Sequence, residues 1–352
     1  MSKLLSAKNQ ILVASAGSRK TTQIVEAAVG LAGKRVLITT YTNENLDQIR
    51  EFITDRCGCI PKHITVLSWY SFLLQDGVRP YQSFVTSEGR RVNSILFESL
   101  PDWQRRIAKA NADIYFLTKG DDVYRDRVSE LVCTCDDKSG GLVIKRLEKV
   151  YDAIFIDEVQ DMAGHDLTLL EKLFKSSSNM TAVGDPRQGT YSTNNSIKNK
   201  KFKKSGMLAW LEQHEGAGLV KIVEKNECYR CNQTICDFAD ALFPEYAKTK
   251  SLNADVTGHD GIFEIKAAAV SDYVKTHRPV VLRWDKRADT MQLPAINFGA
   301  SKGRSYDRVL IFPTKPMLAY LANRDISQAG DRSKFYVAVT RARYSVTFVM
   351  DM

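Results

Sequence analysis

Cysteine is sparse in this chain, with seven among 352 residues, an odd number. That density offers no disulfide framework, and the thiols read as those of a reducing cytosol. Three spacings keep a metal reading open: Cys57-Gly-Cys59, Cys133-Thr-Cys135, and Cys228-x-x-Cys231 with Cys236 beyond. Four thiolates hold zinc, but Cys-x-Cys is not finger spacing and the pairs lie far apart, so free thiols are the plainer reading. Glycine (20) and proline (9) are too few for collagen. No apolar run approaches the length that spans a bilayer, and the first residues, MSKLLSAKNQ, lack the apolar core of a secretory signal. These absences predict a cytoplasmic chain with no membrane partner.

What is present is ordinary for a globular protein: 44% hydrophobic and 26% charged residues. The length allows two or three domains. Fifty Lys+Arg against 41 Asp+Glu leave a net charge of +9, which suits an anionic partner such as nucleic acid.

Short apolar runs alternate with helical stretches, which predicts an α/β fold with parallel sheets covered on both faces. Strands are expected at Ile11–Ala14, Arg35–Thr40, Ile64–Ser68, Ala153–Asp157 and Met180–Gly184, and a helix over Thr21–Ala32. Residues from about 73 to 150 break the pattern and read as a mostly helical insertion, with Trp103–Ala112 as one helical piece. Ser192–Gly206 is polar, carries five lysines between Lys198 and Lys204, and reads as a flexible basic loop at a boundary. A second, smaller α/β unit follows, with strands at Leu219–Val223, Ile262–Ile265, Pro279–Leu282, Arg308–Phe312 and Ser345–Met350.

Two motifs carry chemistry. Ala14-Ser-Ala16-Gly17-Ser18-Arg19-Lys20-Thr21-Thr22 joins the first strand to the first helix, as a phosphate-binding loop must. Backbone N–H groups there face phosphate oxygens, Lys20 reaches the β- and γ-phosphates, and the Thr21 hydroxyl can ligate Mg²⁺. Arg19 stands where glycine is expected. A left-handed backbone at Arg19 is strained by roughly 1–3 kcal/mol, whereas a helical one costs little. The plain alternative is an ordinary turn before a helix. The second motif, Asp157-Glu158-Val-Gln-Asp161, ends an apolar strand, where open parallel sheets bind ligands. Asp157 can hold Mg²⁺ and Glu158 can activate water. Together the motifs predict ATP hydrolysis.

The order of motifs resembles superfamily 1 DNA helicases of the UvrD/Rep type. Thr40-Tyr41-Thr-Asn43 is similar to TFTN, and Ser68-Trp69-Tyr70-Ser-Phe72 to the next, DNA-facing segment. DEVQD at 157–161 resembles DExQD, Gly184-Asp185-Pro-Arg-Gln188-Gly-Thr-Tyr191 resembles GDxxQxIY, and Cys228-Tyr229-Arg230-Cys231 resembles NYRS. Ser301-Lys-Gly303-Arg-Ser305-Tyr-Asp307 is similar to KGLEFD, and Tyr336-Val-Ala-Val-Thr-Arg341-Ala-Arg343 to YVALTRAR. The resemblance implies two RecA-like domains, 1–215 with the insertion and 216–352, with ATP in the cleft between them. It implies that Gln188, Arg230 and Arg341 sense the γ-phosphate, that Tyr229 stacks on adenine, and that Gly303 belongs to the nucleotide site. It also implies a single-stranded DNA track over Tyr41, Asn43, Trp69, Tyr70 and Tyr191. Taken singly, each aromatic could equally be core, Trp69 and Phe72 most readily.

The departures matter too. The phosphate loop comes so early in the sequence that the family's adenine-reading glutamine segment is not expected before it; Gln10 is not assigned that role, which leaves the preference for ATP over other nucleotides open. Ser305 replaces a glutamate, the GDxxQ segment lacks its following tryptophan, and the large insertion of the second domain is missing. The resemblance therefore implies a compact ATP-driven translocase or helicase on single-stranded DNA. Two alternatives stand beside it: a sensing ATPase subunit partnered with a nuclease in repair or phage defence, and a nucleotide-binding subunit that no longer hydrolyses.

Overall fold

A computed structural model describes residues 7–203 and 206–351, so Lys204 of the basic stretch lies outside the described residues. The chain divides into two compact units. The first holds the residues up to Val13 together with Lys20–Pro186 and Ser192–Val223; the second holds Ala14–Arg19, Arg187–Tyr191 and the chain from Glu224 onward.

The first unit is built on the strands β1 (Asn9–Ala14), β2 (Val36–Thr40), β3 (Ile64–Ser68), β4 (Ala153–Ile156), β5 (Asn179–Gly184) and β6 (Lys221–Lys225), in the sheet order β3-β2-β4-β5-β1-β6. β1, β2 and β4 are buried along their whole length, which is what uninterrupted apolar strands covered on both faces require. The pairs β1/β5, β2/β3, β2/β4 and β4/β5 are parallel. Val13 lies beside Gly184 and Ile156 beside Ala182, so the carboxyl ends of β1, β4 and β5 emerge on one edge. The strand expected at Leu219–Val223 opens no second sheet. It forms as β6 and closes the edge of the first.

Local signals explain the helices. In Asn43–Cys57, the Thr42 hydroxyl accepts from the Asn45 N–H at the start, and Gly58 ends the helix at φ +76°, its N–H donating to the Thr54 carbonyl. Leu46, Ile49 and Ile53 form its buried stripe.

The insertion is less regular than expected. Of Trp103–Ala112, only Trp103–Arg105, in the single turn Asp102–Arg105, and Ala112, which opens the short helix Ala112–Phe116, are α-helical. Its longest helix, Val128–Lys138, is buried on most of its surface. Asp76, between Arg146 and Tyr151, anchors the helix Leu142–Val150.

The basic stretch is more tied down than its composition predicts. The carboxylate of Asp166 is fully buried and accepts from Trp69 Nε1 (2.8 Å), the Ser129 and Thr193 hydroxyls and Asn194 Nδ2 (3.2 Å). The Thr193 N–H donates to the Asp161 carbonyl at 2.8 Å, and Lys203 Nζ to the Asn194 carbonyl at 3.0 Å. Burial raises the Asp166 pKa, and these donors oppose the rise. Such a ring of donors fits an acceptor-only carboxylate. Asp166→Asn turns an NH₂ toward them and is expected to cost about 1–3 kcal/mol. Urea unfolding of the variant beside the wild type checks this; an unchanged midpoint contradicts it.

The second unit carries β7 (Gly261–Ile265), β8 (Val280–Arg283), β9 (Ala295–Asn297), β10 (Tyr306–Phe312) and β11 (Ala342–Val349), ordered β7-β11-β10-β8-β9 with every pair parallel. The short edge strand β9 has no apolar run to announce it. Phe335, Tyr336 and Phe348 sit in the core beneath the sheet. Among the described residues, no helix is long and apolar enough to cross a membrane.

Candidate functional site

The turn after β1 has the shape a phosphate loop needs. Gly17 takes φ +75° and Arg19 φ +61°, so the strained alternative for Arg19 is the one adopted. Lys20 then opens the helix Lys20–Val29, whose first N–H groups have no partner within the helix. Lys20 is buried, Arg19 is exposed, and Thr21 and Thr22 are half-buried.

In the first unit this helix start meets the acidic motif. Thr21 Oγ1 donates to Asp157 Oδ2 at 2.8 Å, and the Glu158 N–H donates to Asp157 Oδ1 at 2.9 Å. Burial, and next the charge of Glu158, push the Asp157 carboxyl up to about 7, against the pull of Thr21 and Lys20. Glu158 sits in the left-handed region at φ +59°, and Gln160 Nε2 donates to its carboxylate. The other end of the Gln160 amide accepts from the Asp185 N–H at 3.1 Å. A Cβ on Gly184 would lie 2.3 Å from Gln160 Oε1 and 2.9 Å from Val159 Cγ1, so a larger residue there would displace the Gln160 amide. Gln160 thus ties DEVQD to the GD segment. Its place inside the motif was the available signal, but the sequence reading gave it no role.

The second unit contains the turn Ala14–Arg19 itself. The Tyr229 N–H donates to the Gly17 carbonyl at 2.9 Å, and the Ala16 N–H to the Tyr336 hydroxyl at 3.3 Å. A Cβ on Gly17 would fall 2.7 Å from Arg230 Cβ and 2.8 Å from Cys228 Sγ. Ser18 is buried, and the Arg19 guanidinium lies 4.3 Å from the centre of the Tyr229 ring. Arg230 Nη1 donates to the Thr340 carbonyl at 3.1 Å. Arg341 is 2% exposed; it donates to the Val337 carbonyl at 3.0 Å, to the Arg304 carbonyl at 3.2 Å and to Gln188 Oε1 at 3.2 Å. Gly303, at φ +84°, shapes the turn that presents the Arg304 carbonyl. The structure therefore brings together Ala16–Arg19, Gln188, Tyr229, Arg230, Gly303 and Arg341 within one unit. Arg187, which the sequence reading passed over, pairs with Asp240 at 3.2 Å in the same core.

The aromatics divide. Trp69 is fully buried with its indole N–H on Asp166, so neither ring face is open to a base. The assignment of Trp69 to a DNA track is corrected: it is core, as is Phe72. Tyr70 is 7% exposed, its hydroxyl on the Thr193 carbonyl. Tyr41 is half-buried, 5.7 Å from the Tyr70 ring. Asn43 is exposed at a helix start. Tyr191 is 37% exposed, with Lys302 Nζ 5.8 Å from its ring.

The seven cysteines are free; Cys133 and Cys135 are buried, and burial pushes their thiols up to about 12. Among the described residues no group of three or more His, Cys, Asp or Glu is placed to hold a metal ion.

Residues 105–350 match the viral superfamily 1 RNA helicase core domain. The chain belongs to that family. Residues 1–194 also match the AAA domain. The match is to viral superfamily 1 helicases and not specifically to the UvrD/Rep type. The arterivirus nonstructural protein 10 helicase is similar at 14% identity and a TM-score of 0.50, over 98% of this chain and 61% of that one. Its complex with DNA is similar at 15% identity and 0.51, over 97% and 60%. The PRRSV helicase shows 14% identity and 0.47, over 97% and 52%. This chain thus spans 52% to 61% of the length of those helicases, and identities this low speak to the fold alone. No curated protein sequence matches it. As a family member it carries a helicase core with an α/β fold of the P-loop NTPase type.

Proposed function

We propose that the chain is an ATP-driven translocase or helicase that moves along single-stranded DNA, built as two RecA-like domains (1–215 and 216–352) that share one ATP. The observation that carries this reading is the packing of the phosphate-loop turn against Tyr229 and Arg230, in the same unit as the Gln188–Arg341 contact. The UvrD/Rep likeness and a cytoplasmic setting belong to this proposal and rest on the sequence.

Lys20 holds the β- and γ-phosphates, and the loop N–H groups of Gly17 and Arg19 face their oxygens. A half-buried hydroxyl on a buried carboxylate, with a second carboxylate adjoining, suits a hard cation, so Thr21 and Asp157 would hold Mg²⁺. When bound, Mg²⁺ neutralises charge on the triphosphate. Glu158, fixed by Gln160, accepts a proton from the attacking water as it bonds to the γ-phosphorus; ADP leaves with the electrons of the broken P–O bond. Gln188, Arg230 and Arg341 stabilise the charge that spreads over the equatorial oxygens. Tyr229 packs on the base once Arg19 swings aside, and Gly303 keeps the turn behind Arg341. Tyr41, Asn43 and Tyr191 contact the strand, with bases on open aromatic faces. The DNA bound to nonstructural protein 10 supports a nucleic-acid track by analogy.

The test is ATP turnover with and without oligo-dT and oligo-rU at two salt concentrations. Turnover should rise with single strand and the stimulation should fall at high salt. No stimulation by either polymer overturns the proposal.

A further inference from the structure

The insertion carries an exposed aromatic that the motifs do not mention. Phe97 is 57% exposed, and its ring stands perpendicular to that of Tyr70, with centroids 5.1 Å apart. Tyr70 is itself fixed through its hydroxyl and touches Tyr41. A lone exposed phenylalanine needs no explanation. This one rests on a rigid support built from two motif residues. Arg125 lies close enough to act electrostatically on both tyrosines.

The next residues lead into a basic trough. Leu100, three residues beyond Phe97 and so within about 11 Å along the chain, lines a cavity of 620 Å³. Arg105, Lys109, Arg127, His165 and Lys198 also line it. The two acids in its wall are engaged: Asp126 with Arg125 and the Asn195 N–H, Glu130 with Lys109 and the Tyr115 hydroxyl. Arg127 is held over the Tyr115 ring at 3.6 Å. Arg125, Asp126 and Arg127 are consecutive, so the residue that acts on Tyr41 and Tyr70 adjoins two residues of the trough wall, all within the first unit.

We propose that this surface is a single-stranded nucleic-acid site, with Phe97 stacking a base and the trough taking the phosphates that follow. The inference rests on the proposed function and reassigns Tyr70 from stacking residue to support for Phe97. An open aromatic face beside a cation-lined groove is what sequence-tolerant single-strand binding requires, and the trough accounts for part of the net positive charge.

The test is fluorescence anisotropy of labelled oligo-dT and oligo-rU across a salt series, with the full chain. Phe97→Ala should weaken binding about 5- to 150-fold, leave the slope of log K against log salt unchanged, and leave ATP turnover without polymer unchanged. Phe97→Trp should restore binding. Exchanging Arg105 and Lys198 together for glutamine should flatten the slope by about 1.4, at roughly 0.7 for each phosphate that is no longer neutralised. Wild type that binds neither polymer overturns the function itself. Wild type that binds while Phe97→Ala binds equally well and the double variant keeps its slope overturns this site alone.

Discussion

Arg341→Ala is expected to lower ATP turnover by about 10³- to 10⁵-fold, the range an arginine acting on the transferred phosphoryl group supplies. The guanidinium is nearly buried, and its described bonds go to two carbonyls, the Thr340 hydroxyl and the Gln188 amide oxygen. Those bonds orient the guanidinium, and a preorganised charge is what serves a transition state. The same burial makes truncation hazardous for folding. Arg341→Lys, which keeps the charge and loses the planar fork, is the companion variant and should also lose most turnover. Normal turnover in either variant, read in a phosphate-release assay, removes Arg341 from the chemistry.

Glu158→Gln should lower turnover by about 10²- to 10⁴-fold, the usual contribution of a positioned general base. Nucleotide binding should survive, since Lys20 and the loop N–H groups remain. The substitution keeps the shape of a side chain that Gln160 already grips, so the effect should appear in kcat and not in KM. Unchanged kcat assigns the water to another residue. Tight binding without turnover in the wild type would instead point to the non-hydrolysing subunit.

What the sequence disclosed follows from where each element gets its stability. β1, β2, β4 and β5 are continuous apolar runs, and burial on both faces demands that pattern. β6 is also a readable strand, but the sheet it joins is decided by pairing, which local pattern does not contain. The pieces at Asp102–Arg105 and Ala112–Phe116 are too short for periodicity to show. The stretch after Ser192 looked shapeless because its order comes from Thr193 and Asn194 bonding to the distant Asp161 and Asp166. At the candidate site, motif spelling singled out Lys20, Thr21, Asp157, Glu158 and Arg341 as candidates. It left open the backbone at Arg19, the bridging by Gln160 and the burial of Trp69, each of which depends on a neighbour far along the chain.

The most direct test titrates ADP and a slowly hydrolysed ATP analogue into the wild-type chain and into Arg341→Ala by calorimetry. If the phosphate loop and the late arginine grip one triphosphate, the wild type prefers the analogue and the variant loses that preference while still binding ADP. If both proteins distinguish the two nucleotides equally, Arg341 does not touch the γ-phosphate and the shared-nucleotide account fails.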